Sequence, residues 1–132
     1  MPLLQQAASH AEDYATIKYS NAGVPLWTNR YNGPANRGDK GYRMAVDSSG
    51  NVFVTGSSQN TSGNFDYATV AYSNTGVPLW TNRYNGPANV FDFAIGIAVD
   101  RSGNVFVTGN SGNDMVTIKY SSSITPDRKS VV

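Results

Sequence analysis

Cysteine is absent from the 132 residues, which excludes a disulfide framework and thiolate metal sites and leaves either redox compartment open. Histidine occurs once, at His10, so a Ser-His-Asp or Cys-His arrangement would have to recruit the opening segment of the chain. A zinc site would want several His or Cys ligands. Charge is sparse and balanced, ten Lys plus Arg against nine Asp plus Glu, with no basic stripe and no acidic block, so nucleic acid is not an expected partner. No apolar run approaches the roughly 18 residues of a membrane span. Residues 1–11 offer only Leu3 and Leu4 as a hydrophobic pair, short of the apolar stretch of about 7 to 15 residues that a signal peptide carries. The expectation is a soluble chain with no signal peptide and no membrane partner, in an unspecified compartment, built around one core.

What the chain has is repetition. Residues 13–36, DYATIKYSNAGVPLWTNRYNGPAN, return 53 positions later at 66–89 as DYATVAYSNTGVPLWTNRYNGPAN, changed only at Ile17/Val70, Lys18/Ala71 and Ala22/Thr75. The same offset carries VDSSGNVFVTG at 46–56 onto VDRSGNVFVTG at 99–109. A third pass begins at Asp114, where DMVTIKYS follows DYATVAYS by only 48 positions, because SSQNTSGNF at 57–65 has shrunk to NSGN at 110–113. After Tyr120 the copy fades: Pro126 stands where Pro78 does relative to Tyr72, but Asp127 and Arg128 replace Leu79 and Trp80.

Within a unit the local signals are strand and turn. The segment N-V-F-V-T at 51–55 is rich in β-branched and aromatic residues and follows D-S-S-G-N, whose Gly50 suits the positive φ of a tight turn, which predicts a hairpin of 44–47 with 52–56. Alternation over 14–19, with Asn21-Ala22-Gly23 as the turn into 24–31, predicts a second. No helical stripe occurs, and Gly and Pro recur too often for one. Both faces of Val-Phe-Val are apolar, as in sheets covered on two sides. Four short antiparallel strands per unit at this period are a propeller signature. GIAVDRSGNVFVTGNS at 96–111, followed by a D-x-x-T-I-K-Y strand and matched by G-V-P-L-W strands elsewhere, resembles the SBBP β-propeller repeat and, more distantly, the NHL repeat. That resemblance covers residues 13–121 and implies a fold, an all-β stack of four-stranded blades, without a shared catalytic set.

The organisation read from this is a leader (1–12), propeller repeats (13–120) and a degraded repeat or tail (121–132). Counting strands gives two, then four, then three, about two and a quarter blades, whereas propellers close with roughly 4 to 8. An isolated stack is expected to bare apolar faces around Val52, Val54, Val105 and Val107 and unpaired edges. Completion of the ring by other copies is therefore expected: three copies giving six blades, or a dimer sharing a blade. Phe53 and Phe106 are expected to be buried in equivalent places.

For chemistry the residues offer little. Asp47-Ser48-Ser49-Gly50-Asn51 and its copy at 100–104 faintly resemble the opening of a calcium loop, but the bidentate acid required about 11 residues on is Ser58 or Ser111; a hairpin turn held by Asp47 and Asp100 accounts for them. Arg37-Gly38-Asp39 matches an adhesion tripeptide that the second unit replaces with Val90-Phe91-Asp92. Asn60-Thr61-Ser62 fits a glycosylation sequon. The richest candidate surface is W-T-N-R-Y-N-G-P, with Trp27, Arg30, Tyr31 and Asn32 in one copy and Trp80, Arg83, Tyr84 and Asn85 in the other. These residue types would suit a shallow sugar or peptide site; the competing reading wedges the tryptophans between sheets and has the arginines bond loop carbonyls. The function expected is a non-catalytic binding module for a carbohydrate or protein, without cofactor or metal. The contrasting readings are a propeller hydrolase or lyase with a metal in its channel, and a piece of a longer repeat protein without an independent role.

Overall fold

The computed structural model describes residues 12–87, 90–122 and 129–131, the last as backbone only. Residues 1–11 of the leader, with His10, and Pro126, Asp127 and Arg128 lie outside the described residues. Among the described residues every regular element is a strand, and no helix is long and apolar enough to cross a membrane.

The first described strands form a half blade, β1 (Tyr14–Tyr19) paired with β2 (Pro25–Tyr31). A complete first blade follows, β3 (Asp39–Val46), β4 (Val52–Gln59), β5 (Phe65–Tyr72) and β6 (Pro78–Tyr84), hydrogen-bonded in that order. The second blade repeats it with β7 (Asp92–Val99), β8 (Val105–Ser111), β9 (Asp114–Tyr120) and β10 (Lys129–Val131). All pairings are antiparallel. By register β1 and β2 correspond to β5 and β6: Tyr14 faces Tyr31 as Tyr67 faces Tyr84. Among the described residues the half blade thus supplies third and fourth strands only.

Turn chemistry explains the hairpins. Asp47 Oδ1 accepts the amides of Ser49 and Asn51 at 2.9 Å each, and its Oδ2 accepts the Asn51 side-chain amide. Gly50 sits at φ +83°, which a residue with a Cβ adopts only with strain. Asp100, Ser102 and Asn104 repeat the arrangement, so the hairpin reading of both loops holds. The T-G step has a different cause: a Cβ on Gly56 would lie 1.8 Å from the Lys40 carbonyl oxygen, and on Gly109 1.9 Å from that of Phe93. Beside these glycines β3 and β7 slip register, forming bulges that bring the two backbones close.

Two layers of core separate the three sheets. Tyr14, Val52, Val54, Ala68, Val70 and Tyr72 pack between the half blade and the first blade. Phe53, Tyr67, Ala71, Ala94, Val105, Val107, Ile118 and Tyr120 pack between the first and second blades. Covered on both sides, β4 and β5 are buried almost throughout.

Two expectations are corrected and one is extended. The second blade has its fourth strand: Lys129 pairs with Tyr120 and Val131 with Ile118, so ten strands are found among the described residues and the segment read as a degraded repeat or tail contributes an edge strand. Ladder bonds use backbone groups, and an edge needs no Leu-Trp signature to form one. Val52, Val54, Val105 and Val107 are all buried, because these valines face the preceding sheet, which is present in both cases. Phe106 is not equivalent to Phe53: it is half-buried on the outer side of the second blade, with Lys119 Nζ 5.8 Å from its ring centroid, because among the described residues no further sheet lies over it.

Candidate functional site

The duplicated W-T-N-R-Y segment lies on β2 and β6, the fourth strand of each unit. Its tryptophans face the next sheet. The Trp27 ring packs 5.8 Å from Tyr72, and its indole N–H donates to the Asn74 carbonyl at 3.0 Å. Trp80 lies 5.3 Å from Tyr120 on the second blade and 6.0 Å from Phe53 on its own. Both are wedges between sheets.

The tyrosines belong to the same interfaces. Tyr31 packs 5.2 Å from Tyr14 and Tyr84 packs 5.5 Å from Tyr67, across their strand pairs. The hydroxyl of Tyr14 donates to the Ala68 carbonyl at 2.9 Å, and that of Tyr67 to the Val116 carbonyl at 3.0 Å, one bond repeated at successive interfaces. Burial first, then the neighbouring Tyr31 and Asp39, pushes the Tyr14 phenol well above its ordinary value. Burial does the same for Tyr67, with Asp92 next, and raises Tyr72.

Arg83 is the hub of the candidate set. Its guanidinium donates to the Tyr31 hydroxyl at 2.9 Å, to Ser58 Oγ, to the Ser58 carbonyl at 3.0 Å and to Asp66 Oδ2 at 2.9 Å. It therefore ties the half blade to β4 and β5. Burial by itself would favour its neutral form, but the bonds to Tyr31 and Asp66 outweigh this and raise its pKa. Arg30, its copy, lies exposed on β2. Asn32 is exposed and donates to Asn36 Oδ1 at 2.7 Å, and Asn85 is exposed. Of the eight candidates the structure brings together Tyr31 and Arg83, and it directs both tryptophans into packing.

The sequence reading missed the groups that close each interblade loop. Asp39 is 1% exposed; its Oδ2 accepts the Gly33 amide at 2.7 Å and its Oδ1 accepts the Ser58 hydroxyl. Asp92 holds the Gly86 amide at 2.8 Å in the same way, with its Oδ1 buried and without a hydrogen-bond partner. A signal was available: Asp39 and Asp92 fall at the repeat offset within stretches that otherwise differ, RGDKGYRM against VFDFAIGI. The burial of Asp39 also removes the carboxylate of Arg37-Gly38-Asp39 from display. Lys18 and Asn29 were missed as well; they donate to the Asn74 and Gly76 carbonyls, at 3.1 and 2.8 Å, and pin β1 and β2 to the turn of the first blade.

As chemistry, the arrangement joins sheets. Among the described residues no three His, Cys, Asp or Glu gather where they could hold a metal ion, and the carboxylates of Asp39 and Asp66 already serve loop and guanidinium. No curated protein matches the chain. The profile of the SBBP β-propeller repeat matches residues 27–65 and 80–114, together more than half of the sequence. With blades, interblade tyrosines and loop carboxylates recurring at the same repeat, the chain belongs to the SBBP β-propeller repeat family.

Proposed function

We propose that this chain is a non-catalytic interaction module whose half-blade end associates with another protein surface, a second copy of itself being the simplest. One observation carries the reading. Ile17 and Tyr19 are 45% and 55% exposed, whereas their copies Val70 and Tyr72 are 2% exposed and Ile118 and Tyr120 are fully buried. The residues are those of an interblade core, and among the described residues no sheet covers them. Covering an aliphatic or aromatic side chain of this size stabilises by about 1.5–3 kcal/mol, so the bare face favours association.

The opposite end is different. The outer face of the second blade carries Met115 and Lys119 where the first blade has Tyr67 and Ala71, and Lys119 covers Phe106. Lys119 places a charge on this face, as terminal repeats of stacked proteins do to stay soluble, beside Met115, which is 71% exposed. With the half-blade face as the adhesive one, the closed arrangement is a two-fold dimer, since a ring of three needs two complementary faces. The engagement of Trp27, Trp80 and Arg83 in packing favours a protein surface over a sugar site at those residues.

Light scattering coupled to size exclusion tests this. A dimer is expected, with a melting temperature that rises with protein concentration because assembly stabilises only the folded form, and Tyr19→Lys is expected to give monomers. A trimer, or a monomer with a concentration-independent melt, overturns the reading.

A further inference from the structure

The two interblade junctions are closed by different chemistry at the end where the β4–β5 turn lies. At the first, Glu12 and Lys40 form an ion pair at 3.5 Å, with both side chains more than half exposed. Their copies 53 positions on are Phe65 and Phe93, whose rings stack with centroids 5.7 Å apart. A third ring joins them. Phe91, the copy of Gly38, meets Phe65 edge-on at 5.7 Å and Phe93 at 6.1 Å. The repeat therefore stacks here without aromatic rings, and the second unit has three. A second departure falls at the same place: SSQNTSGNF at 57–65 is cut to NSGN at 110–113. Both turns are tied to the same point, Gln59 N–H donating to the Gly38 carbonyl and Gly112 N–H to that of Phe91. In the first unit Arg37 lies against the longer turn, its Nη1 3.8 Å from where a Cβ on Gly63 would stand. In the second the turn is short, Arg37 is replaced by Val90, and an open cleft of roughly 560 Å³ remains. Val90, Phe91 and Phe93 form its apolar wall, and Asn64, Asn110 and Asn113 line it with amides. Gly112 keeps the floor bare, since a Cβ there would lie 2.9 Å from Val90 Cγ2.

We propose that this cleft binds a neutral carbohydrate, with a pyranose ring lying on Phe91 and its hydroxyls bonded by Asn110 and Asn113. The volume falls within the range of about 300–1,000 Å³ usual for small-molecule sites. Complementarity of charge and hydrogen bonding selects the occupant. None of the lining residues carries a charge, so an anionic or cationic ligand would give up hydration without gaining a counter-charge. A wholly apolar ligand would strip water from the amides at the rim without replacing its bonds. An Asn side chain offers donors and an acceptor together, which matches a hydroxyl, itself both. The face of a phenyl ring is the negative side of its quadrupole, which matches the slightly positive C–H groups on a pyranose face. A sugar presents both surfaces at once. Phe91 is 49% exposed, so its ring is available, and Phe65, in contact with both wall rings but outside the lining, braces them. A platform held in this way loses little freedom on binding. The cleft is separate from the Trp27 and Trp80 segments, and it shares no residue with the half-blade face that carries dimerisation, so each proposal can fail alone.

The probes are neutral oligosaccharides, the pentamers of cellulose, chitin, xylan and mannan, titrated one at a time into the intact chain and followed by the backbone amide resonances. At least one is expected to give saturable shifts centred on residues 90–93 and 110–113. Phe91→Ala is expected to weaken that binding about tenfold or more, and Phe91→Tyr, which restores the ring, to recover it. Asn113→Leu keeps the size of an exposed turn side chain and removes its hydrogen bonding, so it is expected to weaken binding with the melting temperature unchanged. The proposal is overturned if no pentamer binds at millimolar concentration, if the shifts centre elsewhere, or if Phe91→Ala binds as the parent does. It is equally overturned if an acidic pentamer of galacturonate binds better than every neutral one, or a proline-rich peptide binds where the sugars do not. Dimerisation without sugar binding sinks the cleft site alone; sugar binding by a strict monomer sinks the dimer alone.

Discussion

Tyr19 and Tyr72 stand in two copies of the same strand, YATIKY and YATVAY, and differ in what lies on them. On Tyr72 rests the Trp27 ring; over Tyr19, which is 55% exposed, no described residue is placed in that way. The second and third copies of this strand are each backed by the sheet before them; among the described residues the first is not. Burial in a stacked repeat is therefore set by position in the stack, since each unit supplies one wall of a core whose other wall belongs to its neighbour.

The strongest test of this contrast uses the two phenylalanines that the repeat makes formally equivalent. Phe53→Ala is expected to cost about 3–5 kcal/mol, as a large core deletion does, while Phe106→Ala, on the half-covered outer face, is expected to cost less than half as much. Denaturant melts of both variants check this, and equal losses would mean that the second blade is covered in solution after all. The two arginines give a smaller contrast. Arg83→Ala strands the Tyr31 hydroxyl, Ser58 and Asp66, and is expected to cost about 1–3 kcal/mol, the usual penalty for buried polar groups left unsatisfied. Arg30→Ala, on the exposed copy, should stay within about 0.5 kcal/mol.

The smallest effect is silent at neutral pH. Burial raises Tyr72 and pushes Tyr120 up to about 12 from an ordinary 10.0. A phenol with a raised folded-state pKa contributes stability that is fully present below about pH 10 and is lost as the pH climbs through the folded value. Tyrosinate absorbance followed with circular dichroism should show these phenols ionising together with unfolding. Their ionisation in an intact fold would break the contrast with the uncovered first copy.

Much of the fold was legible in the residues. Alternation placed β1 and β2, D-S-S-G-N placed the turns, and the 53-residue offset set the unit, because all three depend on contacts within a few residues or between adjacent strands. The candidate site was legible only as a list of residue types. Trp27 and Trp80 look equally suited to stacking a ligand or wedging two sheets, and Arg83 and Arg30 are indistinguishable until their surroundings are known. β10 escaped notice because an edge strand is held by backbone bonds that leave little mark on side-chain pattern.

The sequence by itself determined the strands, their turns and the identity of the repeat, through propensity, alternation and glycines whose φ or close approach admits no side chain. Only the tertiary structure decided which copies are covered and that Arg83 is an interblade tie while Arg30 is exposed. The reason is physical: a side chain's burial and bonding depend on the sheet packed against it, and identical residues at the end and in the middle of a stack meet different neighbours.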